Sequence, residues 1–487
     1  MKKLSALIVA IVLLLTTVIG CGKKEEVGGE SADFADGVTV SEDLKEVYVG
    51  SKEGKKRIKI SFTDAGYGNA WIRVIATHFV KDNPEYWVYL NGDPYLTDSV
   101  ATQLSTGINL PDIYMPLSSS WQAYARAGWL EELSDVYDKK TDDGRTVYEK
   151  MGENWQRYCI ATDKGVKGRY AFPWTEGVSG IVYNATMFEQ NGWKIPETFD
   201  ELIALCDKIK SDTNGRVSPF VYPGSIGGYF DYLGMTYWMQ ASGTDGVKQF
   251  YEYSDAEVFN PEKEPRKGLG VALGYFTKLF GPDADYSLTG SMSKNHTEAQ
   301  IAFLQGKAAM IINASWMERE MINDIPEGTT IGMMRFPYIA EAKKEGDEYK
   351  KVNYSPLPDY MVIPKQAAEK EGAKKFLAYL TGDKMLQYFF DYTSALMPFD
   401  FMPDTTKASQ FAKDCIAIWS DSETYFDLPT GRLGNFVNKF VSTIPYNSLV
   451  YGVEQDGTTV SRWMNQEYST AKSNWAYWTS LADEMGA

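Results

Sequence analysis

Between residues 57 and 115 the spacing of apolar side chains changes period in a regular order. Residues 57–63 alternate apolar and polar positions like a half-buried strand, residues 70–81 carry apolar side chains at helical spacing, and residues 86–90 alternate again. Residues 97–106 predict the next helix and Pro111-Asp112-Ile113-Tyr114-Met115 the next strand, so the chain starts as an α/β alternation that implies a largely parallel sheet. A second α/β region is predicted from about Ile181. Thr198 and Glu201 have the spacing of a capping box for a helix over 199–210, and residues 217–222 follow as a strand ending at Pro223-Gly224. Residues 298–303 read as helix, 308–312 as a buried strand, and 366–380 and 384–392 as helices separated at Gly382. No fixed-period repeat is present, which argues against a solenoid. In parallel sheets ligands gather at the carboxyl ends of strands, so the loops 64–69, 116–121 and 222–229 are the first places to look for a site.

Composition narrows the chemistry. The 487 residues are 44% hydrophobic and 23% charged, as in soluble proteins with large cores. Lys and Arg number 49 against 65 Asp and Glu, a net charge of −16, which excludes nucleic acid as the main partner because phosphate backbones demand a clustered cationic surface. His78 and His296 are the only histidines, too few for a histidine zinc cage or a histidine-dependent triad. The loop 224–228 lacks the lysine of a phosphate cradle, and no Cys-x-x-Cys, His-Glu-x-x-His or Gly-x-Ser-x-Gly occurs. No cofactor or metal is therefore expected. Aromatic residues are abundant at 14%, with 13 Trp, 32 Tyr and 23 Phe.

At the front, Lys2 and Lys3 precede the uncharged stretch 4–20, which ends in Val18-Ile19-Gly20-Cys21. The stretch is shorter than the roughly 20 residues that cross a bilayer comfortably and reads as a secretion signal with a processing site. It resembles a bacterial lipoprotein signal, with Gly20 before Cys21 and Val18 in place of the usual Leu. The resemblance implies that residues 1–20 are removed and that Cys21 is lipidated, palmitate included. More than one acyl chain would then anchor an exported protein to the outer face of the cytoplasmic membrane. Residues 21–54, rich in Gly, Glu, Lys, Ser and Asp, read as a flexible tether with room for a short strand in 38–49. Of the other cysteines, Cys159, Cys206 and Cys415, at least one must be unpaired in an exported protein. Cys206 shares an apolar face with Phe199, Leu202, Ile203 and Ile209, and Cys415 is four residues from Phe411 and Trp419, so both read as small core side chains.

Several segments, in order, resemble the family 1 extracellular solute-binding proteins, the maltose-binding-protein-like receptors of ABC importers. They are Leu104-Ser105-Thr106-Gly107 with Pro111-Asp112-Ile113, Ala127-Gly128-Trp129-Leu130-Glu131-Glu132-Leu133, Ala171-Phe172-Pro173-Trp174, Ile181-Val182-Tyr183-Asn184 and Pro196-Glu197-Thr198-Phe199-Asp200-Glu201-Leu202. Phe303-Leu304-Gln305-Gly306-Lys307-Ala308-Ala309-Met310 with Trp316, and residues 373–380, complete the set, which covers about 57–400. The resemblance implies a two-lobed α/β periplasmic-binding-protein type II fold, a hinged clamp. Lobe one would hold 55–178 and 357–398, and lobe two 179–350 and 399–487. It implies no catalysis, a single copy, a small-molecule ligand and delivery to the transmembrane permease subunits of an importer.

A sugar offers flat C–H faces and a rim of hydroxyls, so its site needs aromatic platforms with polar groups at their edges. An oligosaccharide is the ligand that best suits this chain. Trp316 comes first, because in the family an aromatic after the Gly-Lys-Ala-Ala-Met segment often faces the cleft; the alternative is a core Trp at a strand end. Trp174 and Glu176 approach the crossing between lobes, and Glu176 reads equally well as a solvated loop acid. From lobe one, Asp64, Tyr67 and Asn69 follow the first strand, with Asn69 expected to cap the helix that begins at Ala70. Ser118, Ser119 and Trp121 follow the third strand, with serines where the family often has charge. Tyr222, Ser225 and Tyr229 would contribute from lobe two, while the aromatic run 229–238 reads as helix core with one ring reaching the cleft. Two other readings stay open: a surface lipoprotein glycoside hydrolase with two carboxylates hidden among the 65 acids, and a glycan receptor for a sensor kinase.

Overall fold

The computed structural model describes residues 26–27, 30–31, 33–43, 46–117, 121–152, 155–156, 159–161, 166–355, 359–425, 443–455 and 457–485. The signal stretch and Cys21 lie outside them. No helix among the described residues is long and apolar enough to cross a membrane. The chain divides into an N-terminal piece, Met1–Asp33, and a body, Phe34–Ala487. In the first piece Glu26–Val27 pairs antiparallel with Glu30–Ser31.

The first sheet of the body has five strands, in the spatial order Val40–Asp43, Glu46–Val49, Tyr86–Gly92, Lys56–Phe62 and Ile113–Met115. Lys56–Phe62 pairs parallel with both of its neighbours, as the strand–helix–strand pattern predicts. Its alternation sends Ile58, Ile60 and Phe62 inward, where Ile72, Val74, Ile75 and Phe79 of the helix Ala70–Asp82 cover the sheet. The tether expected over 21–54 does not extend so far. Residues 40–49 form a hairpin that adds antiparallel strands to the Tyr86–Gly92 edge, with Val47 and Val49 buried, and the Ala35 N–H donates to Thr77 Oγ1 at 2.9 Å. Only a two-valine alternation marks this hairpin in a charged stretch, too weak a period to outweigh the composition.

The second sheet runs Ser218–Val221, Ala308–Ala314, Ser179–Asn184 and Ile331–Met334. Ser218–Val221 is parallel to Ala308–Ala314, whereas Ser179–Asn184 is antiparallel to both of its neighbours. Ala308–Ala314 is buried along its whole length. The predicted capping box is present: Thr198 accepts from the Glu201 N–H at the start of Phe199–Asp212, and the Glu201 carboxylate accepts from the Thr198 N–H. Beyond the family-like segments, Gln410–Ser420 packs on Ile331–Met334, where Asp414 accepts from the Met333 N–H, and Val460–Met485 sinks Trp463 and Trp478 into the core of the second sheet's helices. Buried Arg266 lies over the Trp463 ring at 4.6 Å and docks this last helix.

The chain crosses between the sheets more than once. Phe172–Pro173 pairs with Tyr360–Met361 beside the first sheet, and the path to Ser179–Asn184 runs through residues 174–178. A second passage lies between Val352–Tyr354 and Tyr360–Met361, and a bridge joins Glu176 to Leu396. Cys159, Cys206 and Cys415 are free and buried, with burial pushing the Cys159 thiol up to about 12, so these thiols are inert core groups.

Candidate functional site

The loop 64–69 leaves the carboxyl end of Lys56–Phe62 and turns through two glycines in the left-handed region, Gly66 at φ 54° and Gly68 at φ 64°. These turns bring the backbone against the second sheet's Trp316 and Arg319. A Cβ on Gly66 would stand 3.8 Å from Trp316 Cβ, and one on Gly68 would stand 3.4 Å from Arg319 Nε. Tyr67, carried between them, is 5% exposed. Its ring meets Trp174 edge-on at 5.9 Å and Trp316 edge-on at 6.2 Å, with Phe389 tilted at 6.2 Å and its hydroxyl 3.5 Å from Ser315 Oγ. Burial holds the phenol well above its ordinary pKa, so it stays protonated.

Trp174 stacks on Trp71 at 5.3 Å and meets Phe389 edge-on. Its indole N–H is buried with no hydrogen-bond partner among the described residues, an orphan donor at the junction of the two sheets. Trp316 is partly exposed at the start of the short helix Met317–Glu320, directly after Ala308–Ala314. Tyr232 stands edge-on to it at 6.0 Å, and Tyr229 is tilted against Tyr232 at 5.4 Å. Tyr67, Trp174, Trp316 and Tyr229 therefore come together as one aromatic group drawn from both sheets. Two members escaped the sequence reading: Tyr232, left within a run assigned mainly to helix core, and Asp359, half-buried, whose charge adds to burial in raising the Tyr67 and Tyr232 phenols. The only local mark of Asp359 is its place after Pro358 in a passage between sheets.

Glu176 lies in the other passage and is 9% exposed. Burial pushes its carboxyl up to about 7, against the opposing hydrogen bonds from Trp419 and Trp155. It is a pinned interior acid and not the solvated loop acid that the sequence equally allowed.

Other expected residues lie elsewhere. Tyr222 is a core ring: it packs on Phe230 at 4.9 Å and Phe280 at 5.3 Å, and burial pushes its phenol up to about 12. The reason is the pleat, which turns Tyr222 to the same side as fully buried Phe220. Trp121 is also fully buried and presents no face to a ligand. Ser225 is exposed, and its hydroxyl donates to the Lys294 carbonyl at 2.9 Å. Asn69 stands at the N-cap position of Ala70–Asp82 without a side-chain capping bond; its amide donates instead to Asp64 Oδ2 at 3.2 Å. Its φ of −121° is that of an extended residue but its ψ of −2° is not, so the side-chain oxygen misses the first helical N–H groups. Ser118 and Ser119 lie outside the described residues.

Two sheets joined by several passages, with facing aromatic loops, define a two-lobed binding protein. The model of the bacterial extracellular solute-binding protein family matches residues 64–387, more than half of the chain, and the chain belongs to that family. A curated relative, the multiple sugar-binding protein of Streptococcus mutans, is 24% identical over 349 residues, which cover 70% of this chain and 74% of the relative. Among solved structures, the apo form of RafE from Streptococcus pneumoniae superposes with a TM-score of 0.62 at 18% identity, covering 87% of this chain and 99% of that one. A chitin oligosaccharide binding protein gives 0.61 at 18% identity, covering 87% and 100%. Both share the two-lobed α/β fold.

Proposed function

We propose that this chain is the solute-capturing component of an ABC importer, that it takes an oligosaccharide between its two lobes, and that it hands the sugar on to a membrane permease. The observation that carries the reading is the aromatic group spanning both sheets, Tyr67 from one and Trp316 with Tyr232 from the other, with the orphan Trp174 N–H among them. Aromatic faces suit the C–H faces of a pyranose, and a buried indole N–H without a partner is a donor for a sugar hydroxyl; left unmet it costs about 1–3 kcal/mol. The named relatives, a multiple sugar-binding protein and a chitin oligosaccharide binding protein, point the same way. A ligand that touches both loops favours the closed arrangement of the lobes by its differential affinity, and the closed form is what a permease would recognise. Cys21, lipidated after removal of residues 1–20, would hold the protein at the outer face of the cytoplasmic membrane.

The test is a titration of the mature chain with a panel of oligosaccharides, followed by intrinsic Trp fluorescence and by melting temperature. Binding gives a saturable fluorescence change and a raised melting temperature, with the sugar recovered intact. A cleavage product that grows with time overturns the reading in favour of a hydrolase, and a panel without any response overturns it outright. Cell fractionation of Cys21→Ala tests the anchor: the variant should leave the membrane fraction.

A further inference from the structure

The loop 64–69 also borders a pocket of about 210 Å³ in the first lobe. Its buried lining is Val47, Phe62, Leu90 and Arg73, and its more open rim is Glu42, Asp64, Asn69 and Pro94. Arg73 is 4% exposed and is held by Glu42 at 2.7 Å, while the Glu42 side chain stays 54% exposed. Gly92 makes room for the acid on the rim: a Cβ there would stand 3.2 Å from Asp64 Oδ2 and 3.0 Å from the Phe62 ring. Pro94 closes one side, and next to it Tyr95 is 74% exposed, with its N–H fixed by Asp93 Oδ1 at 2.9 Å.

We propose that this pocket, together with the Tyr95 ring, is an outer subsite that takes one terminal sugar unit of the bound oligosaccharide. The proposal rests on the carbohydrate reading above and extends it to chain length. Apolar side chains and a buried guanidinium beside a rim of two carboxylates and an amide suit a ring with one apolar face and hydroxyls around it. Two acids against one base disfavour an anion, and a volume below the roughly 300 Å³ of sites for larger ligands suits a single ring. Asp64 and Tyr67 are three residues apart, at most about 11 Å along the backbone, so a sugar that touches Tyr67 and Trp316 reaches the pocket through its next units. Glu42 comes from the hairpin Val40–Asp43 and Glu46–Val49, which gives that addition to the sheet a role in recognition.

Calorimetric titration with glucose, sucrose, raffinose and stachyose, and with chitooligosaccharides of increasing length, tests the subsite in the mature chain and in Tyr95→Ala and Glu42→Gln. Tyr477→Ala, which removes another open ring on the C-terminal helix, is the control. Each site variant should lose about tenfold in affinity for the longest sugars bound and nothing for the shortest, a dependence on length that a change in stability does not produce. Wild-type affinities at every length in both variants, or an equal loss at every length, overturn the subsite and leave the carbohydrate reading standing. A wild-type chain that binds none of these sugars overturns both.

Discussion

The loops that leave Lys56–Phe62 and Ser218–Val221 both start at the carboxyl end of a sheet strand, and they place their tyrosines in opposite surroundings. In the first, Gly66 and Gly68 break the pleat before and after Tyr67, and the ring is delivered to the second sheet's Trp316. In the second, Tyr222 comes directly after the strand and keeps its register, so the pleat sends it into the core beside Phe230; a ring from this side reaches Trp316 only on the helix Tyr229–Ser242, where Tyr232 stands edge-on to it. Position at a strand end is therefore not enough. A residue faces the opposite lobe only after the backbone has left the strand's alternation.

The contrast can be broken most forcefully at Tyr222. Tyr222→Ala should cost about 3–5 kcal/mol of stability in denaturant unfolding, as for other large core rings, while Tyr222→Phe should bind ligand like wild type. A large loss of affinity in Tyr222→Phe would place this ring in the site after all. Glu176, in a passage that positions the two loops against each other, adds a pH signature. Its folded pKa of about 7 exceeds the ordinary 4.5, so the folded state holds the proton more tightly. The stability this contributes is complete below about pH 4.5, falls as pH rises toward 7 and is absent above it. Glu176→Gln should remove that slope and gain on the order of 3 kcal/mol over wild type at pH 8, read from unfolding midpoints across pH.

On the binding side, Trp316→Ala should weaken ligand affinity by about 2 kcal/mol or more, roughly 30-fold, in the same calorimetric titration, since a central aromatic anchor is lost. Gly66→Ala sharpens the backbone argument. Its added Cβ has room beside Trp316, so the expected loss of about 1 kcal/mol in stability comes from the left-handed φ alone. Ser225→Ala should be the mildest, within about 0.5 kcal/mol in both stability and affinity, because the exposed hydroxyl bonds only a neighbouring loop.

Local signals in the chain were enough to read the capping box of Thr198 and Glu201, the buried strand after Gly306-Lys307 and the first strand–helix–strand unit, since each depends on residues a few positions apart. Within 40–49 the chain allowed a short strand, but its charged composition hid the hairpin and its place in the sheet, because its stability comes from pairing with Tyr86–Gly92, about forty residues away. Asn69 looked like a cap by position, but its backbone conformation lets the amide bond Asp64 instead. Trp174 and Trp316 were legible as candidates through the order of family-like segments, whereas Tyr232, Asp359 and Tyr95 carried no comparable mark.

The amino-acid sequence by itself determined the period of each element, where helices begin, and the family to which this chain belongs, because periodicity, capping and motif order are properties of neighbouring residues. Only the tertiary structure decided which rings meet. Tyr67, Trp174, Trp316 and Phe389 lie far apart along the chain, and their contact depends on how two sheets and the passages between them pack. The same packing separates Tyr67 from Tyr222: burial against one's own lobe makes a core, and burial against the other lobe makes a candidate site.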